Sequence, residues 1–339
     1  MPDRPIIIAT RGSALALAQS HMIAAQCRAA FPKLGVELKI IRTTGDKLQK
    51  ASMAKVEGGL PKGLFTKELE VALLKGEADL AVHSLKDLPT DLPAGLMLAA
   101  TPKRADVRDV LIYRAAEFIK ARTADKASED CAPGPVARRG FKPHTRLRDF
   151  PQGATIATSS TRRKAQLQAV RPDLNIVEIR GNVATRMQKV AERPELDATV
   201  LALAGIMRLN FTLSPDGRLH GDTVPDGLIA TVLDVDVMLP CVGQAAIGIE
   251  IRADDERITK ICARLNHFDT FQCVTAERAF LQGMGGGCQS PVAAYAEIVG
   301  ESMTMRAVSF HHGPARRAEG KRPIQEATQL GEELAAELR

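Results

Sequence analysis

Arginine, lysine and serine side chains recur where the short apolar runs of this 339-residue chain stop. They are Arg11, Ser13, Lys86, Ser160, Arg162, Arg163, Arg180, Arg186 and Arg208. A guanidinium binds a carboxylate or a phosphate through two parallel N–H donors. A solvated basic surface explains any single arginine, but the repetition indicates a ligand with several anionic groups. Because neither G-x-x-x-x-G-K-[ST] nor a strand followed by G-x-G-x-x-G is present, carboxylates are as good candidates as phosphates.

One acidic residue, Asp87, lies among these cations. From the local sequence, Asp87 fits a helix cap or a salt-bridge partner as well as a functional carboxylate. Asp87 is therefore the acidic candidate of this set.

Three glycines precede one of the six cysteines, in the run 285–288. Glycines leave the approach to the sulfur of Cys288 open to bulky material. A cysteine is more often a small buried residue than a nucleophile, and the surroundings of Cys27, Cys262 and Cys273 fit that interpretation, as do those of Cys241. With no C-x-x-C and no H-x-x-x-H pair, we expect neither a metal site nor a disulfide framework.

Short apolar runs alternate with helix-forming stretches twice along the chain, and these elements must position the residues above. The first series predicts strands over 6–9, 36–41 and 79–82 and helices over 14–30 and 66–75, the first capped by Ser13 and the second ended by Gly76. The second series predicts strands over 154–158, 175–179 and 197–202 and helices over 162–170, 183–190 and 205–209. Such alternation predicts parallel sheets, whose ligands bind beyond the carboxyl ends of the strands.

The segments beyond residue 268 follow a different pattern. A helix is followed by the glycine run, by strand-like segments over 292–297 and 303–308, and by an amphipathic helix from about Ile324. The sequence therefore predicts an α/β protein with two α/β domains and a small α+β domain at its C-terminal end.

The net charge of +6 is concentrated in the segment 120–148, which contains eight Lys or Arg and three acidic residues. This segment also contains Pro and Gly and few large apolar residues, so we predict a surface excursion that contributes little to the core. Binding of RNA or DNA through it is an alternative. Only 4% of residues are aromatic and none is Trp, which leaves few platforms for base stacking.

No apolar run reaches the ~18–20 residues of a membrane span, and the first residues lead into no signal-peptide core. We therefore expect a cytoplasmic protein with no membrane partner and no nucleic-acid partner.

Taken together, seven segments in this order resemble the porphobilinogen deaminase (hydroxymethylbilane synthase) family. They are IATRGSALAL (8–17), KGLFTKELE (62–70), DLAVHSLKDLP (79–89), TSSTRR (158–163), IRGNV (179–183) with Arg186, LPCVGQ (239–244) and GGCQ (286–289).

The resemblance implies a fold and an activity. It implies two domains like type II periplasmic binding proteins, 1–102 with 246–263 and 107–239, and a small third domain, 268–339. The activity implied is the head-to-tail condensation of four porphobilinogen molecules into hydroxymethylbilane with release of ammonia. A dipyrromethane cofactor, held by a thioether, primes the reaction, and a monomer is expected.

The resemblance also implies roles for individual residues. Cys288 matches the attachment cysteine and Asp87 matches the catalytic carboxylate. Ser13, Lys86, Ser160, Arg162, Arg163 and Arg186 match cofactor-binding positions, and Arg11, Arg180, Arg208, Phe65 and Lys55 match positions that contact substrate. The alternative is a non-catalytic protein of the same fold that binds a small anionic solute or effector, although neither an export signal nor a helix-turn-helix is present in the sequence.

Overall fold

The computed structural model describes residues 4–44, 65–126, 138–287 and 290–339. The chain divides into two compact units. The first unit comprises residues 1–106, 241–312 and 316–339, and the second comprises residues 107–240 and 313–315. The part predicted as a third domain, from residue 268 onward, clusters with the first unit apart from residues 313–315.

Fifteen strands and nine helices are present in the described ranges. The strands are β1 (Ile6–Arg11), β2 (Val36–Ile41), β3 (Leu80–Ser84), β4 (Leu96–Ala100), β5 (Asp109–Arg114), β6 (Thr155–Ala157), β7 (Asn175–Val177), β8 (Ala198–Ala202), β9 (Thr212–Leu213), β10 (Leu219–His220), β11 (Leu228–Leu233), β12 (Ile247–Arg252), β13 (Val292–Val299), β14 (Ser302–Ser309) and β15 (Arg316–Pro323). The helices are α1 (Ala14–Ala30), α2 (Lys67–Leu74), α3 (Ala116–Lys126), α4 (Thr161–Val170), α5 (Val183–Glu192), α6 (Leu203–Arg208), α7 (Glu256–Leu265), α8 (Phe268–Gly283) and α9 (Ala327–Leu338).

The first unit contains a five-stranded sheet with the strand order β2-β1-β3-β12-β4. β1 is parallel to β2 and β3, whereas β12 is antiparallel to both β3 and β4. The three predicted strands, β1, β2 and β3, are parallel as expected, whereas β12, the strand that runs against them, was not predicted from the sequence. β12 reaches the sheet after the whole second unit, so no βαβ crossover fixes its direction.

Helices cover both faces of this sheet. Ile23 of α1 and Ile258 of α7 pack with Ile8, Val82 and Ile249 on one face. Leu69 and Leu73 of α2 pack with Ala9 and Ala81 on the other. The predicted ends of α1 and α2 are confirmed: the Ser13 side chain accepts from the Ala16 N–H, and Gly76, at φ +68°, follows α2.

The second unit repeats this arrangement in its sheet β11-β5-β8-β6-β7. β6 is parallel to β7 and β8, and β5 is antiparallel to β8 and β11. Two apolar clusters, one around Ile112, Met187 and Ile206 and one around Leu111 and Leu167, lie in this unit.

The described part of the basic segment 120–148 contributes to the second core cluster. Leu147 is buried there, and Phe141 packs on Phe150 with ring centroids 4.4 Å apart and contacts Tyr113 edge to face. The prediction of a small contribution to the core was wrong for residues 138–148, because Leu147 is buried and Phe141 packs against the cluster. Residues 127–137 lie outside the described residues.

The C-terminal part forms a three-stranded antiparallel sheet, β13-β14-β15, against α8 and α9. β15 had no apolar alternation to reveal it, because most of its residues are charged and only Ala318 is buried. With the two mixed sheets, this confirms the predicted fold class. No helix within the described ranges combines the length and the apolar character that crossing a lipid bilayer requires.

Candidate functional site

The candidate residues of the first unit follow β1 and β3. These two strands are parallel, with Ile8 opposite Leu80, so their carboxyl ends meet at one edge of the sheet. Arg11 is the last residue of β1, and Lys86 and Asp87 lie in a 3₁₀ turn, Leu85–Asp87, directly after β3. The structure therefore brings a carboxylate and two cations to the same edge, as predicted for a parallel pair.

Two predicted substrate-contacting residues touch each other. The guanidinium carbon of Arg11 lies 4.2 Å from the centroid of the Phe65 ring, within the range of a cation–π contact. Lys55, also predicted to contact substrate, lies outside the described residues.

The turn that bears Asp87 is held by backbone contacts with residues 243–246. The Leu85 N–H donates to the Ala246 carbonyl at 3.0 Å, and the Leu88 N–H donates to the Leu85 carbonyl at 3.1 Å. Gly243 has a φ of +69°, and a Cβ there would lie 3.2 Å from the Lys86 nitrogen. The positive φ and the close contact with the Leu85–Lys86 backbone both favour glycine at position 243. Gly243 therefore lets its own backbone lie directly against the turn. Both Lys86 and Asp87 are half-buried.

A buried cluster of titratable side chains lies beneath the same edge. His83 Nε2 and Glu250 Oε2 are 2.9 Å apart, and both residues are buried. Glu70 of α2 is also buried; burial raises its pKa, and the nearby Glu250 carboxylate raises it further. Sequence reasoning missed this cluster, because its members come from three separate elements.

In the second unit, Arg162 and Arg163 bind a carboxylate of the protein itself. Their Nη2 atoms donate to the two oxygens of Asp109 at 2.8 and 2.7 Å. Arg162 Nη1 donates to the Leu239 carbonyl and Arg163 Nη1 to the Val200 carbonyl. The two arginines are 3% and 6% exposed. They were predicted to face a ligand, and the sequence offered no signal for Asp109, which lies more than 50 positions away.

Burial alone would raise the pKa of Asp109, but the two guanidiniums outweigh it and hold the pKa well below its usual range. The trio carries a net charge of +1. Ser160, next to it, caps α4 by accepting from the Arg163 N–H.

The other three predicted arginines of the second unit, Arg180, Arg186 and Arg208, are less buried than Arg162 and Arg163. Arg180 is exposed and contacts Glu178 at 3.3 Å, and Arg186 Nε donates to the Gly181 carbonyl at 2.8 Å. Arg208 ends α6, and burial lowers its pKa to about 10. Arg180 follows β7 and Ser160 follows β6, so both lie beyond the carboxyl ends of parallel strands.

Helix α8 leads to the predicted attachment cysteine. Cys288 and Gln289 lie outside the described residues, but the glycines before them do not. A Cβ on Gly285 or Gly287 would meet no heavy atom within 4 Å, whereas a Cβ on Gly286 would clash with the Ser290 side chain. Burial raises the pKa of the Cys27 thiol to about 11 and those of Cys262 and Cys273 to about 12.

Helix α8 is anchored by a second pair of charges that sequence reasoning missed. Arg104 Nη1 and Nη2 donate to the fully buried carboxylate of Glu277 at 2.6 and 3.0 Å. The same carboxylate accepts from the N–H groups of Gly243 and Ala296. In the part of the chain that the structure describes, no group of three or more His, Cys, Asp or Glu residues could hold a metal ion.

The fold and the strand-end residues define an α/β protein that gathers cations and one carboxylate at the edges of its sheets. Residues 6–260 match the family model of the porphobilinogen deaminase dipyrromethane cofactor binding domain, and residues 271–339 match that of the porphobilinogen deaminase C-terminal domain. Porphobilinogen deaminase of Syntrophomonas wolfei is 40% identical, covering 99% of this chain and 95% of the relative. That of Syntrophus aciditrophicus is 41% identical, covering 98% and 94%.

The chain belongs to the porphobilinogen deaminase family, the transferases known as hydroxymethylbilane synthases, and so has a role in tetrapyrrole biosynthesis. Its residues 6–260 form the family's dipyrromethane cofactor binding domain. This membership does not favour the alternative of a non-catalytic solute-binding or effector-sensing protein.

Solved structures similar to this chain include two binding proteins. The BenM effector binding domain with its effector benzoate has a TM-score of 0.40 and 15% identity, covering 78% of this chain and 91% of that one. The methionine binding protein MetQ has a TM-score of 0.38 and 13% identity, covering 79% and 92%.

Proposed function

We propose that the protein condenses four porphobilinogen molecules head to tail, with one ammonia released at each addition, and then releases the chain by hydrolysis with one water as hydroxymethylbilane. The observation that supports this most is the 3₁₀ turn after β3, which holds the half-buried Asp87 carboxylate beside Lys86 at the edge where Arg11 ends β1. We further propose that the protein acts in the cytoplasm as a monomer, without a nucleic-acid or membrane partner.

Asp87 is the proposed catalytic carboxylate. When the aminomethyl arm of porphobilinogen loses ammonia, the C–N bond breaks with its electron pair going to nitrogen, and the pyrrole is left as a cationic azafulvenium. A carboxylate beside the ring nitrogen accepts a hydrogen bond from the pyrrole N–H and stabilises that charge. A new C–C bond then forms between this unit and the free ring carbon of the pyrrole at the end of the growing chain. The proton that this ring carbon carried leaves. Asp87 is placed to take up this proton transiently.

The cationic residues are the proposed carboxylate-binding groups. Every pyrrole unit brings an acetate and a propionate, so the growing chain accumulates negative charge. Arg11, Ser13 and Lys86 in the first unit and Ser160, Arg162, Arg163, Arg180, Arg186 and Arg208 in the second are assigned to these groups. Asp109 neutralises only one of the two charges on Arg162 and Arg163, so their trio still attracts an anion.

The dipyrromethane cofactor is proposed to be bound through a thioether to Cys288. Open space beside Gly285 and Gly287, where a Cβ would meet no heavy atom within 4 Å, supports this proposal. When bound, the group supplies the free pyrrole carbon to which the first substrate unit is joined. This chain's own residues bind its carboxylates, and Phe65 and Lys55 contact the incoming substrate.

The first test of this function removes the charge of Asp87. Asp87→Asn keeps the shape of the side chain and should abolish turnover, whereas Asp87→Glu should retain some activity because the carboxylate survives. Asp254→Asn, at an exposed aspartate of the same unit, is the matched control and should behave like the unaltered protein. Near-normal turnover by Asp87→Asn would show that this carboxylate is structural.

The second test weighs the intact protein by mass spectrometry. The unaltered chain should exceed its sequence mass by a two-pyrrole adduct, and Cys288→Ser should lack the excess. Cys241→Ser, at another cysteine that is not fully buried, should keep it. A fully active protein with the mass of the bare polypeptide would exclude the covalent attachment.

A further inference from the structure

Arg278 of α8 binds the backbone that follows Asp87. Its Nη1 donates to the Leu88 carbonyl at 3.1 Å, and its Nη2 donates to the Pro89 and Thr90 carbonyls at 2.6 and 3.3 Å. One guanidinium thus holds three consecutive carbonyl groups. Hydrogen bonds from a charged donor are shorter and stronger than those between neutral groups.

A second side chain of α8 continues this contact. Gln282 lies four residues after Arg278, hence on the same face of the helix, and its Nε2 donates to Asp91 Oδ1 at 2.8 Å. The same helix face therefore fastens residues 88–91, which connect the turn bearing Asp87 to β4. The turn is held from one side by Ala246 and Gly243 and from its far end by α8.

Helix α8 is a rigid support for this contact. Glu277, adjacent to Arg278, has its buried carboxylate bound by Arg104, Gly243 and Ala296. The C-terminal end of α8 leads through residues 284–287 to position 288. One helix therefore connects the position proposed to carry the cofactor with the segment that follows the proposed catalytic carboxylate.

We infer that Arg278 is a positioning residue, which sets the place of the Asp87 carboxylate relative to the end of α8. This inference rests on the proposed function, because it acts through Asp87. A displacement of about 1 Å at a reacting group is enough to lower a rate by ~100-fold. Loss of the three carbonyl contacts should therefore lower kcat and leave substrate binding nearly unchanged.

The experiment compares Arg278→Met, Arg278→Lys and Arg264→Met in the full-length protein. Methionine keeps the apolar stem, lysine keeps one charged donor, and Arg264 is an exposed arginine of α7 that serves as the control. We expect Arg278→Met to lose 10- to 100-fold in kcat with KM within threefold, Arg278→Lys to recover part of the loss, and Arg264→Met to change neither. The mass of the intact protein should keep its excess in all three.

Coupling to Asp87 supplies the decisive measurement. In an Asp87→Glu background, where the carboxylate is already displaced, Arg278→Met should lower kcat by a much smaller factor than in the unaltered protein. Full additivity, an unchanged kcat in a folded Arg278→Met protein, a rise in KM alone, or loss of the mass excess would each overturn the inference. Failure of the proposed function is separate, since Asp87→Asn alone would then remain active whatever Arg278 does.

Discussion

The two five-stranded sheets have the same pattern of parallel and antiparallel pairing but bury side chains of opposite charge. Beneath the sheet edge of the first unit, Glu70 and Glu250 are buried together with a single histidine, His83. In the second unit, Arg162 and Arg163 are buried around a single carboxylate, Asp109. The same pattern of strand pairing therefore tolerates a local excess of buried acidic or of buried basic side chains. Each kind of excess must be compensated by its own means.

The compensation differs because acids and guanidinium groups respond differently to burial. A carboxylate can take up a proton, and the raised pKa of Glu70 shows that burial favours this neutral form. A guanidinium stays charged, so it must be given a carboxylate or carbonyl oxygens. Arg114, almost fully buried, illustrates the second case: it donates to the carbonyls of Arg139, Arg193 and Leu196, and also of Val190.

The largest expected effect comes from removing the carboxylate of the second unit. Asp109→Asn leaves two buried guanidinium groups with neutral partners only, and breaking a buried ion pair in this way costs about 3–5 kcal/mol of unfolding free energy. Denaturant titration should show this loss. The control is Asp173→Asn, at a more exposed pair with Arg171, where the loss should stay within about 1 kcal/mol. Equal losses would mean that Asp109 is not essential to the second unit.

The next effect concerns catalysis by the less buried arginines of the second unit. Arg186→Ala should lower kcat/KM by about 10- to 150-fold, since one charged hydrogen bond contributes about 1.5–3 kcal/mol. Arg138 is exposed and donates to the Glu192 carbonyl, so Arg138→Ala should leave kcat/KM within twofold. Steady-state assays at matched protein concentration distinguish the two. A similar loss in both variants would contradict the assignment of Arg186 to substrate or cofactor carboxylates.

A smaller effect, of opposite sign, is expected for a carboxylate of the first unit. Because the pKa of Glu70 is raised in the folded protein, the folded state keeps this proton to a higher pH than the unfolded state does. The free energy of unfolding therefore falls as pH rises from the ordinary glutamate range through the raised pKa. Glu70→Gln removes this dependence, so the variant should be the more stable protein at pH 7, and its advantage should vanish near pH 4.

Denaturant titrations across pH 4–8 test this directly. A variant less stable than the unaltered protein at every pH would show that the first unit depends on the Glu70 charge in the way that the second depends on Asp109.

The smallest effect is kinetic and concerns thiols of the first unit. With its pKa raised to about 11, Cys27 holds about 100-fold less thiolate at pH 8 than a thiol with the ordinary pKa of 9.0. Cys262 and Cys273 should react still more slowly. Alkylation of the native protein followed by peptide mass mapping should modify Cys241 first among these four. Rapid labelling of Cys27 would reveal local opening of α1.

The predictable part of the structure was the part encoded by neighbouring residues. The strands and helices of both βαβ series were found because apolar spacing and caps such as Ser13 are local signals. β12 was missed because its partners β3 and β4 lie about 150 residues earlier, and local patterns carry no record of such pairing.

The same reasoning separates the two halves of the candidate site. Arg11, Lys86 and Asp87 were predicted to share an edge from strand endings alone, and the parallel pairing of β1 with β3 brings them there. That Asp109 holds Arg162 and Arg163 depends on three-dimensional packing that no spacing rule contains. The prediction for residues 138–148 was wrong for a related reason. Their many charged residues indicated a surface segment, although Phe141 and Leu147 pack against the core.

The place of β12 in the first sheet has a consequence for how the chain matures during synthesis. β12 lies between β3 and β4 and pairs with both, yet it leaves the ribosome only after the entire second unit. Until then the nascent β1, β2 and β3 present an open, apolar β3 edge, the kind of edge that recruits foreign strands. The second unit is continuous from residue 107 to 240, apart from three later residues, so all the strands of its five-stranded sheet are translated in one stretch. The sheet that contains β1 therefore closes only after the sheet of the second unit has been translated, and chaperone protection is needed most during that interval.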